Sequence, residues 1–167
     1  NIIRDNSEAG IRAESGGGIT AFNNTIDGNL RGVAAEGAAS FVTLANNLIT
    51  NHARAGVFRS GGASITANSN DVFNPTAASG NYEGLANLTG SDGNISMDPK
   101  YFNRAGKQFQ LRAGSPVIDA GNSTGVASTD FFGNARFDDP NILNIGTGPQ
   151  AFIDMGAIER QVISSSD

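Results

Sequence analysis

The stretch Ile19-Thr20-Ala21-Phe22-Asn23-Asn24-Thr25-Ile26-Asp27 returns as Val42-Thr43-Leu44-Ala45-Asn46-Asn47-Leu48-Ile49-Thr50, and again as Ile65-Thr66-Ala67-Asn68-Ser69-Asn70-Asp71-Val72-Phe73. The step is 23 residues each time. It carries Ile19 to Val42 and Ile65, Ala21 to Leu44 and Ala67, and Ile3 to Ile26, Ile49 and Val72. It also carries Asn1 to Asn24, Asn47 and Asn70, a column of asparagines. Four columns that hold one period without a slip identify the first 72 residues as copies of one structural unit.

A unit of this length is one turn of a solenoid, built either from helices or from short strands. Strong helix formers are scarce in it, while Asn, Gly, Ser, Thr and β-branched residues dominate. Apolar positions alternate at period two, as in Ile19 and Ala21, and resume past a bend at Ile26. Each coil also carries a Gly followed by Ile or Val, at Gly10-Ile11, Gly32-Val33 and Gly56-Val57, with steps of 22 and 24 that mark loops of slightly different length. The pattern predicts short strands joined by tight bends, with successive coils paired as parallel strands about 4.8 Å apart. Equivalent residues then stack. Ile, Val and Leu fill the interior, and an Asn at a bend satisfies its amide on the backbone and on its copy in the next coil. Asn suits a bend because it tolerates the left-handed backbone.

These repeats resemble the pectate-lyase-like repeats of right-handed parallel β-helices. The resemblance implies an all-β chain wound right-handed, the hand that parallel crossovers also favour. A chain of 167 residues is long enough for one domain with a core. Charged residues make up only 16%, which suits a β-solenoid better than a helical domain. Net charge is −5 with 11 basic residues, which points away from nucleic acid and from anionic membrane surfaces. No apolar run is long enough for a membrane span. Cysteine is absent, so stacking has to supply the stability that disulfides would otherwise give. The chain opens inside a repeat at Asn1, so it reads as part of something longer, with upstream coils or another copy expected to stack there.

Two regions follow from the pattern. Residues 1–97 are coils, regular to about 72 and degenerate after, with the Asn column breaking at Gly93 and a lateral protrusion expected over residues 74–86. In the degenerate part Leu88 and Ile95 keep the 23-residue step from Ile65 and Val72. Residues 98–167 lose the period. They carry Asp98-Pro99-Lys100-Tyr101-Phe102, then Gly114-Ser115-Pro116-Val117-Ile118-Asp119-Ala120-Gly121, then Thr129-Asp130-Phe131-Phe132-Gly133-Asn134-Ala135-Arg136, and finally Ile153-Asp154-Met155-Gly156-Ala157-Ile158-Glu159. This order resembles the C-terminal region of bacterial β-helix surface proteins described as choice-of-anchor Q proteins, and implies a tail that packs along the last coils and closes that end. An open solenoid end exposes strand edges and an apolar cross-section. Phe102, Phe109, Phe131, Phe132 and Phe152 are expected to cover it.

Stacking converts the coil spacing into contact, so candidate chemistry is read column by column. Aligned on the Gly-Ile/Val pairs, Glu14 stacks on Glu36, with Arg12 beside them on the outward face of the strand. Paired carboxylates of this kind raise one another's pKa or share a metal. The β-helix resemblance implies a calcium site and an Arg or Lys base on such a face, for β-elimination from a uronate polymer. Glycoside hydrolysis would need a wider carboxylate separation. A solvated, charge-mixed strand face is the plainer reading. Glu8, Arg31 and Arg54 form another column, and Asn6, Asn29 and His52 a third; Arg31, Arg54 and His52 are candidates for binding an anionic sugar. In the tail, Asp119, Asp130 and Asp154 read either as turn caps with an internal Asp–Arg pair or as a Ca2+ site, although their spacing matches no known calcium loop.

The expected function is that of the C-terminal part of an extracellular or cell-surface β-helix with a structural, carbohydrate-binding or adhesive role. A polysaccharide lyase whose catalytic coils lie mostly upstream of Asn1 is the alternative, and a self-assembling module the third reading.

Overall fold

The computed structural model describes residues 1–161. Three strands make each coil. The first has β1 (Ile2–Arg4), β2 (Ala9–Glu14) and β3 (Gly18–Phe22); the second β4 (Thr25–Asp27), β5 (Arg31–Glu36) and β6 (Phe41–Ala45); the third β7 (Leu48–Thr50), β8 (Ala55–Ser60) and β9 (Ser64–Asn68). A fourth begins with β10 (Asp71–Phe73) and β11 (Tyr82–Glu83). The coils stack into three parallel sheets, β1-β4-β7-β10, β2-β5-β8-β11 and β3-β6-β9. The chain is therefore an all-β parallel solenoid, and no helix occurs among the described residues.

The register is the one the columns predict. Ile3 pairs with Ile26, Ile26 with Ile49, and Ile49 with Val72. Ile19 pairs with Val42 and Val42 with Ile65, while Ile11, Val33 and Val57 align on the second sheet. Ile26, Val33, Val42, Leu44, Ile49, Val57 and Val72 are buried inside the winding. Burial of one such side chain is worth about 1.5–3 kcal/mol. Ile3, Ile11 and Ile19 stay half-buried, because the first coil is covered on one side only.

Polar ladders hold the bends. The backbone N–H and Nδ2 of Asn24 both donate to Asn47 Oδ1, at 3.0 and 2.9 Å, and Asn47 treats Asn70 in the same way. The column does not break at Gly93, as the 23-residue step implied. Asn70 donates to Asn94 Oδ1 at 3.1 and 3.0 Å, with Gly93 as one inserted residue in the left-handed region. The left-handed backbone falls on the residue before each ladder member, at Asn23, Asn46 and Ser69, rather than on the ladder asparagines themselves.

A second ladder runs at the next bend through Asn6, Asn29, His52, Asn74 and Asn81. It explains the glycine of each coil. A Cβ on Gly10, Gly32 or Gly56 would lie 2.9, 2.6 or 2.5 Å from Asn29 Nδ2, His52 Nε2 or Asn74 Nδ2. Residues 74–86 do not leave the coil as a protrusion. Ala78 and Ser79 donate backbone N–H groups to Ala53 and Arg54, and Tyr82 pairs with Val57. Leu85, rather than Leu88, packs against the interior there.

The tail opens with an antiparallel hairpin, β12 (Tyr101–Asn103) and β13 (Gln108–Leu111). Beyond it the motif segments bond to one another, Met155 N–H to Val117 C=O, Gly121 N–H to Ile153 C=O and Phe131 N–H to Ala157 C=O. The tail lies along the flank of the β1-β4-β7-β10 sheet, where the motifs implied a tail that packs along the last coils and also closes their end. Leu48 points outward from β7 into a second core with Tyr101, Phe109, Leu111, Val117, Ile118, Met155 and Ile158, and Ile2 of the first coil reaches it too. Ala157 N–H donates to Thr25 Oγ1 at 3.1 Å, Gly156 N–H to Asn46 C=O at 2.6 Å, and Asn46 Nδ2 to Asn122 C=O at 2.7 Å. This cover is why the three-residue strands β4 and β7 are buried on both faces. Of the five phenylalanines assigned to the cover, only Phe109 is fully buried, and Phe102, Phe131 and Phe132 are 56, 51 and 57% exposed. Of the tail span 98–167, residues 162–167 lie outside the described residues.

Candidate functional site

The outward face of β2-β5-β8-β11 gathers the residues the sequence singled out. Glu14 pairs with Glu36 in register, and Arg12 lies between them. Its guanidinium reaches Glu8 at 2.9 Å, Glu14 at 3.0 Å and Glu36 at 3.1 Å. Three carboxylates around one arginine leave no free cation for a sugar carboxylate. Farther along the same face, Glu83 rather than Glu8 separates the two stacked arginines. Arg54 Nε donates to Glu83 Oε2 at 3.0 Å, and Arg31 Nε stands 3.6 Å from the same oxygen. Hydrogen bonds from Arg54 hold the Glu83 carboxyl below its usual range. Arg31 also stacks over Phe58, 4.2 Å from the ring centroid.

His52 is not on that face. It is buried in the second ladder, where Nδ1 accepts the Asn29 N–H at 3.1 Å and Nε2 has no hydrogen-bond partner. Burial lowers its pKa from 6.5 to about 4, so the ring is neutral near pH 7. Its place is structural, the position an asparagine fills in neighbouring coils.

The tail aspartates are brought near one another but act mostly as caps. Asp130 accepts from the N–H groups of Phe132, Asn134 and Glu159, and Asp154 from those of Asp119 and Arg160. The internal ion pair joins Arg136 to Glu159 at 2.7 Å, both side chains buried, where the sequence suggested an Asp–Arg pair. Glu159 also accepts from the N–H groups of Phe137 and Asp154. Asp119 alone keeps both carboxylate oxygens unpartnered, and burial raises its pKa to about 6. The donor set does not fit calcium. Asp130 and Asp154 accept backbone N–H groups, and no group of three or more His, Asp or Glu among the described residues is arranged to hold a metal ion.

One cleft was not foreseen. It has a volume of 860 Å³ and lies between the hairpin and the last motif. Exposed Phe102 and Phe132 line it together with Gln108, Gln110, Asn134 and Gln161. Alternation along β13 builds one wall: Phe109 and Leu111 turn into the second core, so Gln108 and Gln110 turn out. Arg112 donates Nε–H to Phe102 C=O at 3.2 Å and stands 5.7 Å from the Phe102 ring centroid. Glu159 borders the cleft, but Arg136 and two backbone donors already occupy its carboxylate. Open aromatic rings beside planar amides suit stacking and hydrogen bonding to a ring-shaped polar ligand. The alternation Gln108-Phe109-Gln110-Leu111 carries the signal, but the phenylalanines are those expected to cover the open end.

A family model described as a right handed beta helix region matches residues 1–100. No curated protein and no solved structure matches the chain.

Proposed function

We propose, from the premise that this chain belongs to the right-handed β-helix family, that it is an extracellular or cell-surface scaffold that binds polysaccharide in the cleft beside its hairpin. The observation that carries this reading is the pairing of two exposed rings, Phe102 and Phe132, with the amides of Gln108, Gln110 and Asn134 in one concave space. Sugar rings present C–H faces to aromatic planes and hydroxyls to amides. Binding is favoured over β-elimination because Arg12, the cation of that face, is already engaged by Glu8, Glu14 and Glu36. The likeness of the tail motifs to choice-of-anchor Q proteins supports a surface location.

The test is affinity electrophoresis through gels containing neutral and acidic polysaccharides. At least one polymer should retard the protein, and Phe102→Ala with Phe132→Ala should abolish the retardation with the circular dichroism spectrum unchanged, since both rings are exposed. Retardation that survives both substitutions, or none with any polymer, refutes the reading. New double-bond absorbance on a uronate polymer, lost in Arg12→Ala, would favour a lyase instead.

Self-assembly is a second reading. The in-register pairing of successive coils favours it, since the same backbone pairing can add a further copy. Strictly monomeric sedimentation at high concentration would argue against it.

A further inference from the structure

Around the corner of the hairpin from the aromatic cleft lies a second cavity of 480 Å³. Lys100, Arg104 and Arg112 line it, with Asn51, Asp98 and the edge of Tyr101. Arg112 borders both cavities. The three cations are each held by an anchor that leaves other donors free. Arg104 Nε donates to both oxygens of Asp27, at 2.9 and 3.0 Å, and Asp27 is itself fixed by Thr50 Oγ1 and Asn51 Nδ2. Lys100 Nζ donates to Gly114 C=O at 2.8 Å, and Arg112 to Phe102 C=O.

Elsewhere, Arg12, Arg54, Arg136 and Arg160 each sit against a carboxylate. Among the described residues Lys100 and Arg112 have none within ion-pair distance and are tied only to backbone carbonyls. Against the three cations stand Asp27 and Asp98, so this cavity carries an excess of one positive charge in a chain of net charge −5. A local excess of positive charge attracts an oxyanion, and guanidinium groups suit carboxylate, sulfate and phosphate geometry.

We propose that this cavity is an oxyanion-binding site, taking a carboxylate, sulfate or phosphate group that is either free or the acidic substituent of a glycan lying in the adjoining cleft. The site stands without the glycan reading; only its assignment to a glycan substituent rests on that reading.

The experiment is isothermal titration at low ionic strength with sodium sulfate, then with a galacturonate trisaccharide and with its methyl ester. Sulfate should bind saturably, at least about tenfold more weakly in Lys100→Gln/Arg112→Gln. Binding should be unchanged in Lys107→Gln, whose cation pairs with Asp5 outside the cavity. Arg112→Lys, which keeps the charge, should retain most of the binding and serves if the double variant does not fold. An acidic trisaccharide at least about tenfold tighter than its ester, with the preference lost in the double variant, assigns the oxyanion to a glycan. Sulfate binding without that preference assigns it to a free anion. Sulfate binding with no binding of either trisaccharide sinks the glycan assignment and leaves the site standing. Absence of saturable sulfate binding, or a double variant that binds like the parent, overturns the proposal.

Discussion

Asn47 shows what a single ladder residue does. It accepts from Asn24 N–H and Nδ2, and its own amide donates to Ala21 C=O and Asn70 Oδ1, with no solvent to replace any of these bonds. Asn47→Ala strands several buried polar groups, each costing about 1–3 kcal/mol. Urea unfolding should show a loss of roughly 3–5 kcal/mol, against under about 1 kcal/mol for Asn1→Ala, whose amide makes one bond at an exposed end. Equal losses would deny the ladder its role. His52 makes a pH-dependent counterpart. Its pKa is about 4 when folded and 6.5 as a free side chain, so between those values the unfolded chain binds a proton that the native chain does not. Stability contributed by the neutral ring is therefore present above pH 6.5 and lost as pH falls toward 4. His52→Asn removes this loss. The stability of the variant relative to the parent should rise by roughly 2 kcal/mol between pH 8 and pH 5; a constant difference contradicts the buried neutral ring. The asparagine column was legible because identical residues recur at one spacing. The spacing also put His52 in the column of Asn6 and Asn29, but its burial was not legible, because a histidine among asparagines in a bend does not announce an inward-facing ring.

At the scale of elements, the glycine of each coil is a contact requirement. Gly32 has ordinary backbone geometry, yet a Cβ there would stand 2.5 Å from Gly56 C=O and 2.4 Å from Ile49. Gly32→Ala forces two coils apart and should cost about 1–3 kcal/mol or more in a thermal melt; an unchanged midpoint would show that the coils are not stacked this closely. The Gly-Ile/Val pairs gave away the register of β2, β5 and β8, although not the reason for the glycine. The short strands β1, β4 and β7 hid more. Ile2 and Leu48 point away from the interior, and a three-residue strand is too short for its alternation to announce a second buried face. That is why the tail was expected to pack along the last coils without this sheet being named as the face it covers. The same gap concealed the cleft: with Phe109 and Leu111 packed inward on the flank, Phe102 and Phe132 are left at the surface beside Gln108 and Gln110.

Across the whole molecule, two cores share one sheet. The inner core fills the winding, and the outer core joins β1-β4-β7-β10 to the tail. Charge is divided in a parallel way. The outward face of β2-β5-β8-β11 is neutralised by its own ion pairs, whereas the cations of the hairpin are left facing a cavity. Both cavities proposed above as binding sites are lined by the tail, while the coils carry the stacked ladders. All of this depends on coils stacked in register. The most direct measurement uses the absence of native cysteine. Thr20 and Thr66 lie on the outer side of one sheet with Thr43 between them. Nitroxide labels on Thr20→Cys and Thr66→Cys should show strong dipolar broadening in frozen-solution EPR, matching two strand spacings, about 10 Å between backbones. Spectra equal to the sum of the two single-label spectra would contradict the stacked winding.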